Sequence, residues 1–368
     1  MTFLRSTLFG LCVASACWTA QAQIKIGQTV GVTGAVAATV KEADMGAQFY
    51  IDAVNAKGGI GGEKIELITL DDKFDPKLTV TNARELIEQR GVLALFMTRG
   101  TPHTEAIIPL LEQYGVPLLA PSSGAKVLHQ PVKKYVFNVR APYQREAERA
   151  ISHLAATGVT RIGVVHVDDS FGADGLEGTL KGLAAVQLSA VAVAKFDRSK
   201  PDFSQIAPAM AKLNPQAVMI IGSGTAVVDA IKSLKEAGSG MQFVTLSNNA
   251  SGGFVKLLGD NARGVIVSQV LPQSLNYTLV QEATALAKAR NVLEVSPAML
   301  EGFVAAKVLV EGLRRAGPKA TREKLQAALE SMHKFELGGL TLTFSSTDHT
   351  GLDFADLSII GFNKKFMR

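Results

Sequence analysis

Residues 54–87 read VNAKGGIGGEKIELITLDDKFDPKLTVTNARELI, and this stretch sets the fold class. It starts at the end of an amphipathic run and turns through a glycine-rich segment into the apolar run KIELITL. After an acidic turn it continues as PKLTVTNARELIEQR. A short apolar run between two longer amphipathic runs is typical of one strand between the crossover helices of a parallel sheet. The stretch therefore predicts an α/β fold.

The same alternation of strand and helix runs through the chain twice. The first series extends from IKIGQTV at residues 24–30 to VPLLA at 116–120, and a second series begins after YVFNVRAP at 135–142. A chain of 368 residues is longer than one ordinary hydrophobic core requires. We therefore predict two doubly wound lobes with parallel-sheet cores, and a crossing between them near residue 140.

The first 22 residues have the pattern of an export signal. Arg5 supplies a positive charge, the apolar run Leu8–Trp18 is too short to span a bilayer, and AQA at 20–22 offers small residues to a signal peptidase. Cleavage near Ala22 is predicted to release the chain into the periplasm. Both cysteines lie in this signal, so the exported chain is expected to form no disulfide and no thiolate site.

Charge and motif content argue against several classes of function. The net charge of +5 is spread along the chain without a Lys/Arg block, which disfavours a nucleic-acid partner. The 6 histidines lack the spacing of metal ligands, and no P-loop or nucleophile elbow is present. We therefore expect no catalytic residue, no metal and no cofactor.

Two motifs imitate ligand sites. IGSGTAVVDAI at residues 221–231 has the glycine turn of a dinucleotide fingerprint, but its third glycine is replaced by Val227. DDKFDP at 71–76 looks like an acidic metal cluster. It is better explained by Asp75 as a helix N-cap, with Pro76 in the first helical position.

A set of small, hydroxyl-rich turns is the more informative pattern, because each turn follows a predicted strand and precedes a predicted helix. In open α/β sheets ligands bind beyond the carboxyl ends of the strands, and the amides of helix N-termini favour anions. Such turns on two facing lobes predict a ligand-binding cleft. They are TRGTP (98–102), APSSGA (120–125), SFGADG (170–175), GSGT (222–225) and SNNASGG (247–253).

Residues 54–87, GVPLLAPSSGA (115–125) and RIGVVHVDDSFGADGL (161–176) resemble the type I periplasmic binding proteins of the leucine/isoleucine/valine-binding family. The resemblance covers essentially the whole exported chain and implies two lobes joined by three hinge crossovers. It implies a monomer without catalytic activity that closes on a small ligand and delivers it to the membrane permease of an ABC importer. The predicted lobes comprise 23–139 plus 271–345 and 140–270 plus 346–368.

The resemblance also implies where the ligand binds. The hydroxyl that binds a ligand carboxylate falls on Thr101, and a neighbouring segment that adds amides and a hydroxyl falls on Ser122, Ser123 and Gly124. The aromatic residue that closes over the ligand from the second lobe falls on Phe171, where the branched-chain binders have tyrosine. These residues are the predicted core of the site.

Other positions depart from the family pattern. Ser247 or Asn248 stands where amino-acid binders carry an acid for the ligand ammonium, and an enclosed ammonium without a charged partner is costly. Arg99 either adds a second cation for a carboxylate or is an ion-pair partner at the surface or between the lobes. We therefore favour an organic or aromatic acid as the ligand, with a branched-chain or other amino acid as the alternative.

The remaining candidate residues have small side chains and would leave room for a bulkier ligand. Thr39 and Ser223 lie near positions where the family has aromatic residues, and Thr225 follows in the same turn as Ser223. Two alternatives of another kind stay open. One is an exported enzyme, for which Lys126 would be the nearest base to Ser122 and Ser123. The other is a chemosensory ligand-binding protein.

Overall fold

The computed structural model describes residues 23–238 and 240–367. The predicted export signal, residues 1–22, lies outside this range. Within the range, no helix combines the length and the apolar character that crossing a membrane requires.

The elements are numbered in chain order. The strands are β1 Gln23–Val30, β2 Lys64–Asp71, β3 Ala94–Phe96, β4 Leu118–Leu119, β5 Val136–Phe137, β6 Ile162–Val167, β7 Ala190–Phe196, β8 Ala217–Ile221, β9 Gln242–Thr245, β10 Ile266–Gln269, β11 Phe335–Glu336, β12 Thr341–Leu342, β13 Asp356–Ile360 and β14 Phe366–Met367. The helices are α1 Ala37–Ala56, α2 Pro76–Glu88, α3 Thr101–Tyr114, α4 Tyr143–Ala156, α5 Ser170–Ala185, α6 Ile206–Lys212, α7 Thr225–Ala237, α8 Gly252–Leu258, α9 Thr278–Lys288, α10 Pro297–Ala316 and α11 Arg322–Glu330.

Two sheets form the cores of two lobes, which confirms the predicted fold class. The first has the order β2-β1-β3-β4-β5, and all of its pairs are parallel. The second has the order β14-β13-β10-β9-β8-β6-β7, with parallel pairs from β10 to β7. Strands β13 and β14 pair antiparallel, so this sheet is not purely parallel as predicted. Strand β13 also pairs antiparallel with β10, and the tight turn between β13 and β14 requires those two neighbours to be antiparallel.

Local sequence signals explain how individual elements begin and pack. The Asp75 carboxylate accepts a hydrogen bond from the Lys77 amide at 2.8 Å and Pro76 is the first residue of α2, as predicted. In α10 the apolar residues Phe303, Ala306, Val310 and Leu313, which recur at spacings of three and four, are buried. Helix α10 packs against α1, so the chain returns to the first lobe after completing most of the second.

Residues 349–352 pack against the first lobe next to β5. The Asn138 amide donates to the His349 carbonyl at 2.8 Å, and the Gly351 amide donates back to the Asn138 carbonyl at 2.8 Å. His349 also stacks on Phe137, with 4.0 Å between ring centroids. These contacts and the burial of Leu352 hold residues 349–352 in the first lobe.

Candidate ligand-binding site

The turns that follow β3 and β4 in the first lobe meet the turns that follow β6, β8 and β9 in the second. The Arg99 Nη2 atom donates to the Asn248 carbonyl across the lobes at 2.5 Å. A second contact runs from the Lys126 amide to Asp174 Oδ1 at 3.0 Å. The hydroxyl-rich turns therefore do face one another.

Thr101 and Ser123 form a buried pair of hydroxyls in the first lobe. Their Oγ1 and Oγ atoms lie 2.8 Å apart, and their exposed fractions are 1% and 0%. Thr101 is the first residue of α3, and Gly100 before it provides no side-chain cap. Uncapped helix N-termini attract anions because their amides and dipole point outwards. The geometry suits the predicted carboxylate site.

Gly124 lies where the turn after β4 touches the first crossover. Its carbonyl accepts a hydrogen bond from the Tyr143 amide at 2.7 Å. A Cβ atom at this position would lie 2.6 Å from the Ala141 carbonyl oxygen and 2.8 Å from the Tyr143 nitrogen. Only glycine fits this close approach of two backbones.

Arg99 is buried but forms no ion pair with any residue in the described ranges. Its Nη1 atom donates to Ser122 Oγ at 3.2 Å and its Nη2 to the Asn248 carbonyl, while its Nε has no partner. Burial lowers the pKa of Arg99 below its usual value. The Arg99 side chain lies inside the interlobe region, where Glu301 and Asp44 act on it electrostatically without forming an ion pair with it.

A buried charge network, missed by sequence reasoning, lies next to Arg99 and centres on Arg140 at the first crossover. The Nη2 atom of Arg140 donates to Glu146 Oε1 and to Ser247 Oγ, each at 2.5 Å. Its Nη1 lies 3.4 Å from Glu301 Oε1, which also accepts from Ser122 Oγ at 3.3 Å. Although burial acts to lower it, Glu301 and Glu146 raise the pKa of Arg140 above its usual value.

This network changes the chemistry expected around Ser247. The Ser247 amide donates to Glu146 Oε2 at 3.0 Å, and its hydroxyl is bonded to Arg140. The carboxylates of Glu146 and Glu301 therefore lie close to Ser247, where the sequence showed no acidic residue. The sequence did not identify Glu301 as a site residue, because 179 residues separate it from Ser122 and no local motif marks it.

Phe171 and Asn248 are held by protein contacts. Phe171 is 3% exposed and packs on Tyr143, with 4.9 Å between ring centroids, so it reaches the charge network only through that ring. The Asn248 Nδ2 atom donates to the Gly222 carbonyl and to Ser223 Oγ, both at 3.0 Å. Asn248 thus fixes the turn that follows β8.

Two candidate residues contact the opposite lobe directly. Thr39 Oγ1 lies 2.9 Å from Ser251 Oγ in the second lobe. The amide of Thr225, whose side chain is exposed, donates to the Ala35 carbonyl at 3.1 Å. Lys126, the base required by the enzyme alternative, is exposed and extends towards Glu177 at 3.9 Å.

Asp44 is a further acid near Arg99 and receives a hydrogen bond from Gln28 Nε2 at 2.8 Å. Burial raises the pKa of Asp44 from 3.8 to about 6. The folded state then holds this proton more tightly than the unfolded state, so stability falls as pH rises through this window and stays lower above it.

Replacing Asp44 with Asn should remove this loss of stability with rising pH, because an amide does not ionise. We expect the free energy of unfolding at pH 7 to rise by on the order of 1 to 3 kcal/mol, with little change at pH 4. Urea unfolding at both pH values measures the difference. Asp260→Asn, at an exposed ion pair, is the matched control. An equal effect of Asp44→Asn at both pH values would contradict the assignment.

Comparisons with known proteins agree with this architecture. The family model for periplasmic binding proteins matches residues 23–354. A substrate-binding periplasmic protein from Ralstonia solanacearum is 30% identical, with a TM-score of 0.86 over 94% of this chain and 99% of that chain. The curated Leu/Ile/Val-binding protein homolog 3 of Brucella melitensis is 24% identical over 332 residues, 89% of each protein.

A structure titled as a branched-chain amino acid ABC transporter from Thermus thermophilus with bound valine has the same fold. Its TM-score is 0.82 at 18% identity, over 94% of this chain and 95% of that chain. The family match covers every strand of the first sheet and strands β6 to β10 of the second. The chain therefore belongs to the periplasmic binding protein family, whose members bind solutes without acting as enzymes.

Proposed function

We propose that this protein is the periplasmic solute-binding component of an ABC importer of the branched-chain amino-acid family, and that it closes on a small solute carrying a carboxylate. The observation that carries the proposal is Arg99. A buried guanidinium without a carboxylate partner is costly, and an anionic ligand would remove that cost. The names of the related proteins support the transport role, and delivery to a membrane permease follows from it.

The first lobe offers a complete set of donors for this carboxylate. Arg99 supplies the charge and an unbonded Nε, while Thr101, Ser122 and Ser123 supply hydroxyls beside the uncapped start of α3. Hydrogen bonds to charged groups contribute roughly 1.5 to 3 kcal/mol each. Three or four such contacts would be enough to hold the carboxylate in one orientation.

The second lobe favours an organic or aromatic acid at the other end of the ligand. Ser247 and Asn248 are neutral, and the nearby acids Glu146 and Glu301 already pair with Arg140. A ligand ammonium would have to compete with that guanidinium for either carboxylate. A ligand whose other end is uncharged avoids this competition.

One observation favours the alternative, an amino acid. The Ser122 hydroxyl contacts both Arg99 Nη1 at 3.2 Å and Glu301 Oε1 at 3.3 Å, so a cation and an anion flank a single small group. A carboxylate and an ammonium on one carbon would fit such a pair. The valine in the Thermus thermophilus structure is consistent with this alternative.

A matched set of probes separates the two ligand classes. 4-Methylpentanoate lacks only the ammonium of L-leucine, and 3-methylbutylamine lacks only its carboxylate. We expect 4-methylpentanoate and benzoate to raise the melting temperature of the ligand-free protein, because a ligand at 100 times its Kd stabilises the folded state by about 2.7 kcal/mol. Binding of leucine without 4-methylpentanoate would establish the alternative, and binding of the amine alone would refute the carboxylate site.

A further inference from the structure

One face of the N-terminal part of α1 contacts the second lobe. Ala38, Thr39 and Glu42 lie on one side of this helix, since Glu42 follows Ala38 by four residues and Thr39 by three, and Ala35 lies in the turn just before the helix. The Ala35 carbonyl accepts from the Thr225 amide, and Thr39 Oγ1 lies 2.9 Å from Ser251 Oγ. This face therefore touches the turns that precede α7 and α8.

Glu42 makes the strongest contact of this face. Its Oε2 atom accepts from the Gly252 amide at 3.0 Å, and its Oε1 accepts from the Gly253 amide at 2.7 Å. These amides belong to the first two residues of α8. A carboxylate bound to backbone amides at a helix start gains from the charge and from the helix dipole. Both carboxylate oxygens of Glu42, a residue of the first lobe, thus accept hydrogen bonds from the second lobe.

The lobes meet closely beside this contact. A Cβ atom at Gly253 would lie 2.8 Å from the Cβ of Ala38 in the other lobe. Real Cβ atoms do not approach so closely, so a larger residue at 253 would push the lobes apart. The absence of a side chain at Gly253 lets Glu42 reach both amides.

We propose that Glu42 sets the affinity for the ligand without touching it, by holding the lobes in the closed arrangement. None of its bonds involves Arg99, Thr101 or Ser122. The apparent Kd equals the intrinsic Kd divided by the fraction of molecules in the binding-competent state, so a contact made only on closure tightens binding. Glu42 is in this sense a positioning residue, and its effect on affinity rests on the proposed function.

The closing role is tested first without any ligand. The chain from Gln23 onward has no cysteine, so Thr39→Cys with Ser251→Cys places one thiol in each lobe where the hydroxyls lie 2.9 Å apart. The rate of disulfide formation with oxidised glutathione then measures how often the lobes close. Adding Glu42→Gln should slow cross-linking by about tenfold, relative to adding Glu112→Gln on the exposed face of α3. Equal rates would overturn the proposal.

The second test measures affinity with the native residues at 39 and 251. Calorimetric titration with 4-methylpentanoate should give a Kd about tenfold higher for Glu42→Gln than for Glu112→Gln, with a faster dissociation rate. Gly253→Ala should have a similar effect by a different route, because its methyl group separates the lobes. Unchanged affinity in both variants would refute the role. Failure of every variant and of the wild type to bind would reject the ligand class, while the cross-linking result would still decide the role of Glu42.

Discussion

Replacing Arg140 with methionine should lower the melting temperature of the ligand-free protein by on the order of 10 °C. Arg140 and Glu146 have side-chain exposures of 3% and 0%, so the substitution leaves a fully buried carboxylate without its cation. Breaking a buried ion pair from one side costs roughly 3 to 5 kcal/mol. In a protein of this size each kcal/mol corresponds to about 2 to 4 °C. Thermal unfolding followed by circular dichroism measures the effect.

Two further variants distinguish a broken network from a general loss of packing. Arg84→Met removes an ion pair with Glu88 whose partners are 49% and 36% exposed, and it should change the melting temperature by less than about 1 °C. Adding Glu146→Gln to Arg140→Met should recover much of the lost stability, because the buried charge is then gone. A double variant no more stable than Arg140→Met would show that the charge is not the cause.

Replacing Arg99 with methionine should weaken binding of a carboxylate ligand by roughly 10- to 150-fold. The reason is the loss of a charge-assisted interaction of about 1.5 to 3 kcal/mol in a buried setting. Methionine keeps much of the side-chain length and apolar stem. Calorimetric titration with whichever of 4-methylpentanoate, benzoate and L-leucine binds the wild type measures the change.

The same Arg99 variant should not destabilise the ligand-free protein. Its guanidinium is buried without a carboxylate partner, so removing it relieves a desolvation cost that offsets the lost bonds to Ser122 and Asn248. Arg90→Met, at an exposed pair with Glu85, is the control and should leave affinity unchanged. Lower stability together with unchanged affinity would mean that Arg99 only joins the lobes.

The predicted effects of the Arg140 and Arg99 variants on stability differ because the two cations differ in their partners. Arg140 is neutralised by two carboxylates of the protein, so it holds the hinge region together. Arg99 has only neutral partners among the described residues, so its charge is available to a ligand. We therefore propose a structural role for Arg140 and a ligand-binding role for Arg99.

The amino-acid sequence by itself determined the features that depend on local rules. Alternating apolar and amphipathic runs predicted two doubly wound lobes, because the periods of strand and helix are properties of a few consecutive residues. The N-cap at Asp75 was predicted from its neighbours for the same reason. The positions of the hydroxyl-rich turns also followed, since each turn lies at the end of a strand.

Only the tertiary structure decided which charges meet between those turns. Glu301 lies 161 residues after Arg140, in a helix that returns to the first lobe, so no local spacing connects the two. The partner of Thr39, Ser251, is 212 residues away. Local patterns specify where a strand or helix ends, whereas the pairing of buried charges depends on how the elements pack. The charge balance around Arg99, on which the proposed class of ligand rests, could for this physical reason not be predicted from the sequence.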